Sequence, residues 1–135
     1  MEAAPAPFLL ALVGWSVVLL FFHIMLQGMA ATRELGPAWN AGPRDDERRP
    51  QGVLAGRAAR ASANFRETYP AFVALALALA LAGRAEGLGT IGAWVWLACR
   101  IVYIPLYLAG IPYIRSLVWL GSAIGLLMMF VSLVF

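Results

Sequence analysis

The sequence has no lysine, one cysteine and one histidine in 135 residues. With Cys99 as the only thiol, no disulfide can form within the chain, and the redox compartment stays open. Cys99 reads as a small apolar residue in a helix. Ten arginines face seven carboxylates, for a net charge of +3. So slight a charge argues against nucleic acid as a partner, since that binding rests on neutralising many phosphates. Arginine without lysine fits a GC-rich genome at least as well as a demand for guanidinium. No metal-ligating cluster is legible.

Apolar residues are in excess. They make up 62% of the chain, with a mean hydropathy of +0.80. A soluble domain is about 45–50% apolar, and a globule this small cannot hide the surplus from water. A bilayer can.

The first apolar run, Phe8 to Met29, has 22 residues and no formal charge. As a helix it covers about 33 Å, enough for a hydrocarbon core. Glu2 is its only early charge and the run is too long for a signal peptide, so it reads as a retained helix, residues 8–30. His23 and Gln27 share a face of it. His23 is expected to pack against a neighbouring helix. Residues 31–54 then change character: Pro37, Gly42, Pro43, Pro50 and Gly52 punctuate a run of Arg44, Asp45, Asp46, Glu47, Arg48 and Arg49. This predicts a solvated, partly disordered loop.

The strictly apolar part of the second segment, Ala71 to Ala82, is too short to span a membrane. The helix must start earlier, giving residues 55–82 and carrying Arg60, Asn64 and Glu67 toward the bilayer. Its alternating Ala and Leu suit a helix, and an open strand in lipid would leave its backbone unpaired. A third helix over 88–110 has Trp94 and Trp96 as expected interfacial anchors and Pro105 as the cause of a kink near Ile101. A fourth, over 113–135, carries Gly121 and Gly125, a weak G-x-x-x-G signal for close helix contact. The expected fold is an all-α membrane protein, one four-transmembrane-helix bundle over 1–135. Four spans place both termini on one side. The positive-inside rule then makes loops 31–54 and 110–114 cytoplasmic.

At 100° per residue, Arg57, Arg60, Asn64 and Glu67 fall within a stripe of about 80°. Arg100, Tyr103 and Tyr107 fall within about 60° on the third helix. Ionisable groups at membrane depth cost roughly 2.5–3.5 kcal/mol each, so these stripes should face the bundle, a partner or water. They could simply pair with one another. Yet Arg57, Arg60, Arg100 and Arg115 outnumber Glu67, and excess guanidinium suits an anionic or zwitterionic ligand, with Glu67 left for an ammonium. Arg115 reads either as snorkelling to the interface or as stabilising a developing anion.

The stretch Arg60-Ala-Ser-Ala-Asn64-Phe-Arg-Glu67-Thr-Tyr-Pro70, with Arg100-Ile-Val-Tyr103-Ile-Pro-Leu-Tyr107 and Pro112-Tyr-Ile-Arg115-Ser116, resembles the MAPEG superfamily, the membrane-associated proteins of eicosanoid and glutathione metabolism. The chain is similar to bacterial-type members, which implies a bacterial inner-membrane location. The resemblance spans nearly the whole chain except the first loop. It implies a homotrimer of four-helix subunits that binds glutathione between neighbours near the cytoplasmic face. Arg60, Asn64, Glu67, Tyr103 and Tyr107 match the glutathione-binding set, to which Arg100 is added for its place on the same stripe. Arg33 resembles a basic residue supplied by the adjacent subunit. Arg115 matches the arginine that activates the thiol, followed by Ser116 as in the prostaglandin E synthase branch. Thr68 departs from the leukotriene synthase branch, which has Tyr there. The implied activity is a glutathione-dependent transferase or peroxidase acting on a lipophilic small molecule that enters from the membrane lipid. The alternatives are a non-catalytic membrane scaffold or accessory subunit and, with thinner material, an ion pathway.

Overall fold

The computed structural model describes residues 6–135. It contains five helices: α1 (Ala6–Leu35), α2 (Pro37–Ala41), α3 (Val53–Leu81), α4 (Leu88–Leu108) and α5 (Pro112–Val134). Three stretches, Pro7–Leu35, Leu88–Leu108 and Pro112–Val134, are long and apolar enough to cross a membrane. At 29 residues α3 is also long enough, about 43 Å. Arg57, Arg60, Arg66 and Glu67 crowd its first half and lower its hydropathy. Proline stands at the start of α2 and of α5, where its fixed φ helps and its missing N–H costs nothing. Inside helices, Pro70 and Pro105 each leave a carbonyl one turn earlier without its usual donor.

In the stretch after residue 30, expected as a solvated, partly disordered loop, most of residues 31–41 is helical. The first helix continues to Leu35, and a short helix follows. The reason is local bonding. Glu34, in the last turn of α1, accepts from the backbone N–H of Gly52 at 2.6 Å and from that of Gln51, so it anchors the entrance of α3. Asn40 donates to Thr32 Oγ1 at 2.7 Å, and Arg44 lies 4.2 Å over the Trp39 ring while donating to Asn40 Oδ1 at 3.0 Å. Arg48 pairs with Asp46 at 2.7 Å, and this hydrogen bond holds the Asp46 carboxyl below the usual carboxylate range. The segment is as exposed as expected but folded on itself.

α4 and α5 form the tightest pair. A Cβ added at Gly92 would lie 2.6 Å from the Gly125 carbonyl oxygen, and one at Gly125 would lie 2.6 Å from that of Gly92. Gly121 meets Cys99 Sγ in the same way, at 3.0 Å. The G-x-x-x-G pair is therefore used, with Gly92 as its counterpart on α4. α1 packs chiefly on α3. Its register is marked by Ser16 and Tyr69, whose hydroxyls lie 3.0 Å apart. The core between the pairs is aromatic. Trp96 stacks on Phe72 at 4.0 Å and 9°, and Phe65 lies 5.6 Å from Trp96. Trp96 is fully buried, so it is not the interfacial anchor expected, whereas Trp94 is 49% exposed. Periodicity separates the two, because residues two apart on a helix point in widely different directions.

Candidate functional site

Arg57, Arg60, Asn64 and Glu67 share a stripe of α3 but not a fate. Arg57 turns to the end of α4. Its Nη1 donates to the Leu108 carbonyl at 3.1 Å, and its guanidinium lies against Gly110, where a Cβ would come within 2.6 Å of Nη2. Gly110 has φ +75, a conformation glycine adopts freely. Arg57 thus satisfies an orphan carbonyl and complements the helix dipole. Arg84, in the turn between α3 and α4, does the same for α5, donating to the Leu133 carbonyl at 3.0 Å. Sequence reasoning counted Arg57 among the ligand-binding surplus. A cap contributed by one helix to the far end of another has no local signature.

Asn64 reaches inward. Its Oδ1 accepts from Arg100 Nη1 at 2.9 Å. Arg100 has no exposed surface, and its guanidinium lies 4.5 Å over the Tyr103 ring. Tyr103 and Tyr107 rings are 5.5 Å apart, and Arg115 lies 4.6 Å over Tyr107. A continuous line, Asn64–Arg100–Tyr103–Tyr107–Arg115, therefore crosses α3, α4 and α5, with a guanidinium against each tyrosine ring. Such cation–ring contacts hold a charge in place without neutralising it.

The structure does not bring together every expected residue. Arg60, Glu67 and Arg33 are not buried in the single chain, whereas Arg100 lies wholly beneath the surface. Arg33 borders a groove of about 490 Å³ on the outer face of α1, with Met25, Met29 and Asn40. Among the described residues the one ion pair is Arg48 with Asp46. Arg60, Arg100, Arg115 and Glu67 therefore do not neutralise each other directly, and simple mutual pairing does not account for them. No group of three or more His, Cys, Asp and Glu among the described residues could hold a metal ion.

A second feature flanks this line. α1 and α4 diverge around an apolar groove of about 760 Å³, lined by Leu12, Trp15, Phe22, Trp94, Ile104 and Pro105 among others. Ile104, next to Arg100 on the helix surface at about 40°, separates groove from polar line. Phe65, Tyr69 and Trp96 carry no site signal in the sequence. Their spacing is that of ordinary core residues, and only assembly reveals that they form the wall behind Arg100.

Among known proteins, a model of the MAPEG family matches residues 10–135. No curated protein and no solved structure matches the chain.

Proposed function

The chain belongs to the MAPEG family, and from that premise we propose that it is an integral membrane glutathione-binding protein, a transferase or peroxidase for lipophilic electrophiles. The observation that carries this reading is the set of arginines without ion-pair partners beside a line of tyrosines. Glutathione has two carboxylates, one ammonium and one thiol. Arg60 and the half-buried Arg115 offer donors to anionic groups, and Glu67 offers an acceptor to the ammonium. Arg100 supports from beneath, fixing Asn64 and the Tyr103 ring. In a homotrimer, with α3 as a fourth span, Arg33 of one subunit would complete the site of its neighbour. The accessibility of Arg60, Glu67 and Arg33 in the single chain fits a site closed by a second copy.

The chemistry requires a thiolate, and a free thiol has a pKa of about 8.5. Lowering that by one unit takes about 1.4 kcal/mol of preferential anion stabilisation, which one partly desolvated guanidinium can supply. Arg115 is the candidate. The thiol proton leaves to solvent, the sulfur attacks the electrophilic carbon, a C–S bond forms, and the leaving group departs with its bonding pair. The apolar groove between α1 and α4 suits the electrophile's hydrocarbon part.

The test is thermal stabilisation of the detergent-purified protein by millimolar glutathione, with Arg60→Ala alongside. Stabilisation that weakens in the variant supports the reading. Its absence in the wild type would instead favour a scaffold or accessory subunit. A thiolate absorbance near neutral pH should appear on binding and be lost in Arg115→Ala. Equal thiolate in both would remove Arg115 from the mechanism.

A further inference from the structure

α3 leaves one face uncovered. Glu67 and Ala74 lie within about 40° of Ala63 on one side of it, and Arg66 lies about 60° to the other. All four are exposed in the single chain.

Depth makes that exposure costly. α3 runs antiparallel to α4, with Arg57 at Leu108, Asn64 at Arg100 and Leu79 beside Gly89. Residues 66 and 67 therefore stand opposite the centre of α4, whose 21 residues cover about 31 Å. With α3 as a fourth span, both charges lie near mid-bilayer, where a charge facing lipid is strongly disfavoured. Glu67 is too short to reach either interface by snorkelling.

Neither charge is answered within the chain. Arg66 donates only to the Ser62 carbonyl of its own helix, at 3.4 Å. The one ion pair among the described residues is elsewhere, between Arg48 and Asp46. Arg66 and Glu67, adjacent in sequence, point about 100° apart and cannot meet on their own helix. Arg60, on the Glu67 side of the face, turns back toward the start of α3, where a Cβ at Gly56 would lie 3.1 Å from its Nη1.

We propose that this face of α3 is an interface between copies of the chain, and that Arg66 of each copy pairs with Glu67 of the next. Its chemistry selects a second copy as the partner. Membrane insertion gives every copy the same orientation, so residues of equal depth meet, and Arg66 and Glu67 differ in height by only about 1.5 Å. In an assembly closed by rotation about the membrane normal, one flank of the face meets the opposite flank of the next copy. That sets the two charges against each other at every contact. Ala63 and Ala74, between the charged flanks, let the helices approach closely. The inference rests on α3 being a fourth span, as in the function proposed above, and not on glutathione. A carboxylate has room for two cationic donors, so the ammonium assigned to Glu67 is not displaced.

The test is charge reversal between copies. Two differently tagged wild-type copies, co-expressed, should co-purify from membranes. Arg66→Glu alone sets carboxylate against carboxylate, and Glu67→Arg alone sets guanidinium against guanidinium, so each variant should lose most of its self-association. Co-expressed, the two variants should capture each other, because every mixed contact again joins opposite charges. A role confined to one chain cannot be restored by another. Wild-type copies that do not co-purify, a single variant that self-associates as wild type does, or variants that do not recover each other would each overturn the proposal. The span itself is read separately, with an impermeant thiol reagent on Asp45→Cys and Glu86→Cys in sealed vesicles. Labelling from opposite sides supports the span, and labelling from one side removes both the span and the pairing.

Discussion

Arg100 donates to Asn64 Oδ1 at 2.9 Å, the one hydrogen bond its side chain makes among the described residues, and it does so with no exposed surface. A guanidinium in that position depends on its amide partner more than a surface arginine would. Asn64→Ala removes the acceptor and should destabilise by about 1–3 kcal/mol, the cost of leaving a buried donor unmatched. Thermal unfolding in detergent checks this. A midpoint equal to wild type would mean Arg100 is held by other groups.

Glycine substitutions separate close helix contact from mere small-residue content. Gly92→Ala and Gly125→Ala each place a Cβ 2.6 Å from an opposed carbonyl oxygen, so α4 and α5 must part. The expected loss is about 1–3 kcal/mol. Gly14→Ala meets nothing within 4 Å in the single chain and should be neutral or stabilising by up to about 1 kcal/mol. Equal effects at Gly14 and Gly125 would contradict the packing described.

The two tryptophans of α4 should behave oppositely. Trp96→Ala empties a fully buried aromatic site stacked on Phe72 and should cost about 3–5 kcal/mol. Trp94→Ala removes a half-exposed ring and should lower thermal stability far less. Parity between the two in a melting experiment would mean Trp96 is not the centre of the core.

Arg57→Ala uncaps α4 at Leu108 and frees the turn around Gly110. A loss of about 1–2 kcal/mol is expected for a charge-assisted hydrogen bond that is only half-buried. The amides of residues 109–111 should exchange faster with solvent, and if glutathione binds, its affinity should fall through displacement of Tyr107 and Arg115. Unchanged amide exchange at this turn would show that Arg57 is not its anchor.

The number and rough placement of the long helices were legible because an uninterrupted apolar run of some twenty residues is stable in few settings besides a bilayer. The polar half of α3 was legible by a length argument, since the run from Ala71 was too short alone. What escaped prediction depends on partners far along the chain. Nothing near Arg57 announces that it caps α4, and nothing near Gly121 and Gly125 announces Gly92. Glu34 looked like part of a solvated loop, although it anchors Gln51 and Gly52 across the intervening turn. At the candidate site, the spacing of Arg100, Tyr103 and Tyr107 correctly put them on one face. The same arithmetic on α3 could not say which members of the stripe reach inward, because stripe membership fixes direction only to within a turn. Asn64 meets Arg100, while Arg60 and Glu67 stay at the surface.

Arg57 and Arg84 clasp the last carbonyls of α4 and α5 from opposite ends of α3. The α4–α5 hairpin is thereby latched to α3 near both ends of that helix, and its own seam is closed by glycines. α1 has no such latch toward α4, only the widening apolar cleft between them. When the helices breathe, they should therefore part along the α1–α4 side, where both walls are apolar.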